Sequence, residues 1–209
     1  TLEADIEIIA AINPNIIIFA PTVEDMYENK TVSQSFDFDG LENKMEGKFR
    51  PGHFDGVGTI VKLLFEIVQP TRAYFGEKDF QQLQIVKKMV QKNHLPVRII
   101  MCPILRETSD LAMSSRNERL TLQDRKEASI IYKILKEAKH KFDTTSAEKT
   151  TEWVQNEFKK NKKFNLEYFE IADEETLSTC IRKNKTKKYR AFVAVFIDNI
   201  RLIDTIPLN

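Results

Sequence analysis

The sequence has little of what marks secreted, membrane-bound or nucleic-acid-binding proteins. Its 209 residues include two cysteines, Cys102 and Cys180, which fit neither a metal-ligand spacing nor a disulfide framework, so a reducing compartment is predicted. Basic and acidic side chains number 32 and 31, a balance that gives no electrostatic reason to expect nucleic acid or an anionic membrane. No apolar run approaches the roughly 20 residues that span a bilayer, and no secretory signal is visible. We therefore expect a soluble, cytoplasmic protein with no nucleic-acid or membrane partner.

The first part of the chain carries apolar patterns that predict a parallel sheet. Continuous apolar runs between turn residues are typical of strands buried on both faces, and apolar stripes at helical spacing indicate helices. The elements predicted first are a helix at 2–12, a strand at Asn15–Phe19, a helical turn at 24–27, an outer strand or extended segment at 31–38, a loop at Gly47–Gly52 and a buried helix at His53–Val68. A strand at Arg72–Phe75, a helix at 80–93 and a strand at 96–101 then form a right-handed βαβ unit.

The pattern changes after Pro103. A polar stretch leads into helices predicted at 122–142 and 147–162, and strands follow at 166–171, 189–196 and 200–204, with Asp198-Asn199 as a hairpin turn. Helices followed by a small antiparallel sheet are typical of an α+β domain. The predicted fold class is therefore α/β, with a partial Rossmann-like parallel-sheet domain at 1–104 and a smaller α+β domain with a three-stranded antiparallel sheet at 105–209.

The stretch Tyr74–Leu83 runs from a predicted strand through Gly76 into a charged turn and then a helix. Ligands of open parallel sheets bind beyond the carboxyl ends of the strands. There, a glycine permits close approach, Lys78 offers a cation, and the helix presents free N–H groups. These are the parts of a phosphate site. An alternative stays open, because Asp79 followed by Gln82 also resembles a capping box beside a solvated lysine.

A second polar stretch, Met113–Asn117, places two hydroxyls beside an arginine. Hydroxyl groups donate hydrogen bonds, and a guanidinium matches phosphate oxygens bidentately, so an anionic ligand is indicated. The other interpretation is an interdomain hinge in which Arg116 pairs with a carboxylate. Because both stretches follow predicted parallel strands, we expect them to converge at one sheet edge.

Three sequence blocks also resemble a known family. They are Arg50-Pro-Gly-His-Phe-Asp-Gly-Val57, Ala73-Tyr-Phe-Gly-Glu-Lys-Asp-Phe-Gln-Gln-Leu83, and Arg106-Glu107 with Leu111-Ala-Met-Ser-Ser-Arg-Asn117. In order and spacing the chain resembles the pantoate–β-alanine ligase family of the nucleotidyltransferase superfamily, over essentially its whole length. The resemblance implies an ATP-dependent ligation: pantoate attacks the α-phosphorus of ATP to give pantoyl adenylate and pyrophosphate, and the β-alanine amine then releases pantothenate and AMP.

The resemblance also implies roles for individual residues. Lys78 and Arg116 correspond to catalytic cations, and Gln82 and His53 lie on the pantoate side of the pocket. ATP-binding residues would be Gly76, Glu77, Lys78, Asp79, Leu105 beside the adenine, Met113, Ser114, Ser115 and Arg116. Mg²⁺ would bridge the leaving pyrophosphate without a dedicated protein metal site, and the family implies a homodimer. Positioning and cations at the phosphate oxygens are what nucleotidyl transfer needs from a protein.

Two departures from the family pattern bear on activity. The chain opens at Thr1 without an initiator methionine, downstream of the family's Met-Gly-x-Leu-His-x-Gly-His and Asn-Pro-x-Gln-Phe blocks, so we expect a fragment that lacks ligase activity by itself. Ser109-Asp110 stands where the family usually has Asp-Gly. Two alternatives remain: a non-catalytic nucleotide-binding or interaction module, or an adenylating enzyme for another acid. Upstream coding sequence with His-x-Gly-His favours the ligase.

Overall fold

The computed structural model describes residues 2–27 and 33–209, and the chain divides into two compact units, residues 1–34 and 35–209. The helices are α1 Leu2–Ile12, α2 Val23–Tyr27, α3 Met45–Phe49, α4 His53–Val68, α5 Phe80–Lys92, α6 Leu122–Glu127, α7 Ile130–Thr144 and α8 Ala147–Lys159. The strands are β1 Arg72–Gly76, β2 Arg98–Cys102, β3 Phe164–Asp173, β4 Tyr189–Ile197 and β5 Ile200–Pro207. No helix of the described ranges is long and apolar enough to cross a membrane.

The first unit contains α1 and α2, as predicted, but not the predicted buried strand. Residues Asn15–Phe19 form no strand, and Ile17 is 92% exposed. A strand needs a hydrogen-bonded neighbour, and none of the described strands pairs with this run, so its apolar sequence alone does not make it β. The extended segment predicted at 31–38 lies partly outside the described residues, and its described part, from Ser33, contains no strand.

The predicted βαβ unit is confirmed in the second unit. Strands β1 and β2 pair in parallel, from Arg72 opposite Arg98 to Gly76 opposite Cys102. Helix α5 connects them and buries an apolar stripe that includes Phe80, Leu83 and Val86. Both strands therefore end at one edge of the sheet, and the residues that follow each of them start from neighbouring points.

Two predictions for the residues before β1 need correction. Helix α4 has the predicted bounds, but it is not buried around its circumference: Ile67 and Val68 are about half exposed. The predicted loop at Gly47–Gly52 begins as helix α3 instead. Gly47 permits this helix because a Cβ there would lie 1.7 Å from the carbonyl oxygen of Glu42, a contact that only glycine avoids.

The second half has the predicted order of helices and strands. The predicted helix at 122–142 is divided into α6 and α7 by a short break, and α8 ends three residues before its predicted end. Strands β3, β4 and β5 form an antiparallel sheet in that order, and the predicted Asp198-Asn199 turn joins β4 to β5. The fold class is thus confirmed. The predicted domain boundary at residue 104 falls inside the unit 35–209 and stays a prediction.

Candidate active site

The turn after β1 leaves open space where a ligand could approach the backbone. Gly76 has an extended conformation, φ −68° and ψ 135°, and a Cβ built there would meet no atom within 4 Å. Glu77–Asp79 form one 3-10 turn, and α5 begins at the next residue. Asp79 precedes α5 but makes no side-chain capping hydrogen bond, so the capping-box interpretation is not realised. The first backbone N–H groups of α5 therefore have no side-chain cap, and the positive end of the helix dipole lies at this turn.

Lys78 connects the two polar stretches that the sequence singled out. Its ammonium Nζ donates a hydrogen bond to the carbonyl oxygen of Met113, 3.1 Å away. Burial lowers the pKa of Lys78, and the nearby Asp79 and Asp204 oppose that shift while Arg116 and Arg106 add to it. These charges act on one ammonium group, so residues after β1, residues after β2 and strand β5 share one electrostatic environment. The predicted convergence is therefore seen.

The stretch after β2 is a tight hairpin. Arg106 and Ala112 form an antiparallel bridge, and the N–H of Met113 donates to the carbonyl oxygen of Leu105 at 2.9 Å. Asp110, which stands where the family usually has glycine, has a φ of 72°. This left-handed region favours glycine, and aspartate is among the few other residues that tolerate it. The hairpin therefore keeps a glycine-like backbone without the glycine.

The predicted phosphate-binding side chains on this hairpin are accessible. Leu105 is 70% exposed, and Met113, Ser115 and Arg116 are exposed as well. The Arg116 guanidinium donates to the carbonyl oxygen of Arg201 at 3.3 Å and forms no ion pair with any described carboxylate. The hinge interpretation, in which Arg116 pairs with a carboxylate, is therefore not realised. Ser114 accepts a hydrogen bond from the N–H of Arg116, which orders the start of the following 3-10 turn.

Sequence reasoning missed the partner that fixes this hairpin. Both Nη atoms of Arg106 donate to the carboxylate of Asp204, at 2.7 and 3.0 Å, and its guanidinium lies 3.4 Å from the ring centroid of Tyr132. Burial raises the pKa of Asp204, while Arg106 counteracts that effect. Asp204 lies 98 residues further along the chain, so no local pattern could have pointed to the pair.

A cavity lies beside Lys78, between α4, α5 and the antiparallel sheet. Its lining includes Glu46, Arg50, His53, Lys78, Asp79, Gln82, Tyr168 and Asp204. Gln82 is half-buried, and its side-chain amide forms no hydrogen bond within the described part of the chain. The His53 ring Nε2 lies 3.1 Å from an Nη of Arg50, and burial, followed by the charge of Arg50, lowers the pKa of His53. Both predicted substrate residues thus face the space next to Lys78.

Glu46 is a cavity residue that the sequence did not single out. Its carboxylate accepts two hydrogen bonds from Arg201, at 2.9 and 2.7 Å, and one from the Tyr168 hydroxyl at 2.7 Å. Burial pushes the pKa of Glu46 upward, but Arg201 and Tyr168 outweigh it and hold the pKa below its usual value. The network places a fixed negative charge opposite the cations of the cavity.

The remaining predicted site residues, Glu77 and Asp79, differ in whether their side-chain carboxylates have a partner. The Glu77 carboxylate accepts a hydrogen bond from Arg190 through its Oε1 atom at 2.6 Å. Asp79 forms neither an ion pair nor a side-chain hydrogen bond within residues 33–209, and desolvation by the surrounding protein raises its pKa. Asp79 therefore provides a cavity carboxylate that has no ion-pair partner among the described residues.

Comparison with known proteins shows which family the chain belongs to. A family model described as pantoate-beta-alanine ligase matches residues 1–207. The pantothenate synthetase of Flavobacterium psychrophilum is 65% identical and that of Christiangramia forsetii 58% identical, each aligned with all of this chain and 74% of its own length. The chain thus spans about three quarters of these relatives.

Solved structures show the same fold. The pantothenate synthetase from Thermus thermophilus superimposes with a TM-score of 0.89 at 34% identity, over the whole of this chain and 75% of that one. The pantoate-beta-alanine ligase from Francisella tularensis, complexed with beta-gamma ATP and beta-alanine, has a TM-score of 0.76 at 32% identity over 70% of its length. From the match of nearly every residue to one family model, and from these identities, we conclude that the chain belongs to the pantoate–β-alanine ligase family.

Proposed function

We propose that the full-length protein joins pantoate to β-alanine through a pantoyl adenylate, using ATP and releasing pyrophosphate and AMP. Family membership supports the ligation itself, and the beta-gamma ATP and β-alanine in the complex of the Francisella tularensis ligase support the substrates. The observation that carries the proposal is the contact of Lys78 with Met113, which brings the two cationic stretches to one sheet edge.

The phosphates of ATP would lie over Gly76 and the start of α5. Open space above Gly76 permits close approach, and the uncapped helix N-terminus favours negative charge. Lys78 and the exposed Arg116 supply cations for the charge that develops on the phosphate oxygens. Leu105 and Met113 lie on the hairpin that Lys78 contacts, and their exposed apolar side chains suit the face of an adenine.

Pantoate would occupy the cavity next to Lys78. Gln82, in the first turn of α5, lines this cavity and has a free side-chain amide that would bind the pantoate hydroxyls. His53, whose pKa is lowered by burial, is neutral at physiological pH and adds a hydrogen-bonding group without a competing positive charge. The fixed carboxylate of Glu46 and the free carboxylate of Asp79 offer acceptors for the β-alanine ammonium and for a cation.

Mg²⁺ fits this site as a companion of ATP. Among the described residues, no group of three or more histidine, cysteine, aspartate or glutamate side chains could hold a metal by itself. Mg²⁺ typically uses one or two carboxylates together with substrate phosphates and water. Asp79 is the cavity carboxylate left without a partner, so it would provide that single protein ligand. When bound, the ion would neutralise charge on the leaving pyrophosphate.

The expected cytoplasmic location and homodimer belong to this proposal. Two free cysteines, one half-buried and one buried, are consistent with a reducing compartment. The family resemblance supports the dimer, and analytical ultracentrifugation of the full-length protein would test it. A non-catalytic module would keep the nucleotide site but need no free Gln82 and Asp79 in the adjoining cavity, so the geometry favours the enzyme.

The direct test is pantoate-dependent exchange of pyrophosphate into ATP, measured on the full-length protein. Lys78→Ala is expected to abolish exchange, because one lost contact of this kind removes about 2.7–4 kcal/mol of transition-state stabilisation. Lys87→Ala, an exposed lysine of α5, is the matched control and should behave like the unsubstituted protein. Exchange that survives Lys78→Ala would contradict the role of Lys78. Formation of ADP instead of AMP would exclude the adenylate.

Another adenylating enzyme of the same superfamily would exchange pyrophosphate with a different acid. Substituting other small 2-hydroxy acids for pantoate in the same assay distinguishes the two. The prediction that residues 1–209 alone lack ligase activity is tested by running this chain beside the full-length protein.

A further inference from the structure

Arg190 is a buried cation close to the site, and the chemistry proposed above gives it no role. It is the second residue of β4 and is 2% exposed. Its Nη2 donates to Glu77 at 2.6 Å and its Nε donates to Glu174 at 2.9 Å. Its guanidinium also lies over the ring of Phe80, 4.1 Å from the centroid. Three neighbours therefore hold this one side chain.

Two of those neighbours lie at the two ends of the turn that carries Lys78. Glu77 immediately precedes Lys78, and Phe80 follows Asp79 as the first residue of α5. Arg190, on the antiparallel sheet, thus contacts both ends of this turn. The side chains of Lys78 and Asp79 line the cavity and make no contact with Arg190 among these hydrogen bonds.

Stability alone is a poor reason to bury this guanidinium. The Nη1 atom of Arg190 is buried without a hydrogen-bond partner among the described residues. A buried ion pair rarely stabilises a fold more than well-packed apolar residues would, and an unsatisfied donor weakens the case further. A rigid fork that fixes two carboxylates does, however, define direction well.

We propose that Arg190 is a positioning residue for adenylation: through Glu77 it fixes the turn Glu77–Asp79, and so sets where the Lys78 ammonium stands. This inference rests on the proposed function. It assigns Arg190 no contact with a substrate. Misplacement of a catalytic group by about 1 Å is enough to lower a rate about 10²-fold, so a positioning pair has a measurable kinetic effect.

The chain offers a matched control, because Arg190 pairs with two carboxylates and only one belongs to the turn. Glu77→Ala and Glu174→Ala each leave the same guanidinium with one ionic partner, and the two side chains are similarly buried. If Arg190 serves only the fold, the two variants behave alike. If it positions Lys78, only loss of Glu77 affects the reaction.

The experiment measures pantoate-dependent ATP–pyrophosphate exchange and thermal stability of both variants in the full-length protein. We expect Glu77→Ala to lower kcat by about 10–100-fold with little change in KM for pantoate. Glu174→Ala should keep kcat, while its Tm falls by about as much as that of Glu77→Ala. Glu77→Gln, which keeps an acceptor of the same reach, should recover part of the rate.

Hydrogen exchange gives a second measurement that does not depend on activity. The amides of residues 77–80 should exchange faster in Glu77→Ala and Glu77→Gln than in Glu174→Ala. Equal kcat losses in the two alanine variants, or full activity of Glu77→Ala, would overturn the positioning role. If the unsubstituted protein shows no exchange of pyrophosphate, the proposed function fails, and the amide-exchange comparison still decides whether Arg190 orders the turn. If Glu77→Ala does not fold, Glu77→Gln against Glu174→Gln makes the same comparison.

Discussion

Gly76→Ala should change folding stability and nucleotide use in opposite directions. The backbone of Gly76 is extended, with φ −68°, and a Cβ there would meet no atom within 4 Å, so alanine fits without strain. Replacing glycine at a compatible position restricts the unfolded chain and stabilises the fold by about 0.4–1 kcal/mol. For a domain of this size, 1 kcal/mol corresponds to about 2–4 °C, so Tm should rise by up to about 4 °C.

The added methyl group would occupy the space in which we place the ATP phosphates. It would hold the phosphates away from the backbone N–H groups at the start of α5. Loss of one preorganised donor of this kind lowers kcat by about 10²–10³-fold, and we expect kcat/KM for ATP to fall by at least about 10²-fold. Pyrophosphate exchange at varied ATP concentration measures this change, and differential scanning calorimetry of the full-length protein measures Tm.

Gly56→Ala is the control for this experiment. Gly56 lies in α4, has no positive φ, and also has no atom within 4 Å of a built Cβ. Alanine there should raise stability by about 1 kcal/mol because it is the better helix former. Its kcat/KM for ATP should not change. A Gly76→Ala protein with raised Tm and unchanged kcat/KM for ATP would refute the placement of the phosphates over this turn.

Three further predictions concern the residues that hold the site together. Arg106→Ala should lower the free energy of unfolding by about 3–5 kcal/mol in urea titrations, because it leaves the Asp204 carboxylate buried without its partner. An effect below about 1 kcal/mol, as is typical of surface ion pairs, would contradict this interpretation. The pKa of Glu46 is lowered in the folded protein, so Glu46 stabilises the fold above its usual pKa of 4.5 and loses that effect as the pH falls below it. The stability difference between the unsubstituted protein and Glu46→Gln, followed by Tm against pH, should therefore shrink below pH 4.5, and a constant difference would show that the ionised form is not favoured. Asp110→Gly should be more stable than Asp110→Ala by about 1–2 kcal/mol. Both variants lose the ion pair to Lys136, and only alanine is strained at a φ of 72°. Equal free energies of unfolding in urea would show that this backbone conformation is not retained.

Local patterns in the sequence were sufficient for the elements that later converge. The apolar stripe of α5 and the β-rich runs on either side predict the βαβ unit, and the rule for parallel sheets predicts that Lys78 and Met113 lie close together. Exposure of the Asn15–Phe19 run was not predictable in this way. Its composition suits a strand, but pairing depends on a neighbour that no local window contains.

The ion pairs around the site were out of reach for a related reason. Glu46 and Arg201 are 155 residues apart, and Arg190 and Glu77 are 113 apart. The sequence around a charged residue in a strand is the same whether its side chain faces solvent or a distant carboxylate. Only the register of β4 against β5, and the packing of that sheet beside α5, decides which carboxylate it meets.

The antiparallel sheet holds three separate segments of the site by ionic contacts. Arg201 holds Glu46, Arg190 holds Glu77, and Asp204 holds Arg106. We therefore expect these three segments and the β4–β5 hairpin to unfold together. A substitution that frays this hairpin would release all three segments together, so the fraction of molecules able to react should fall before the rest of the fold unfolds.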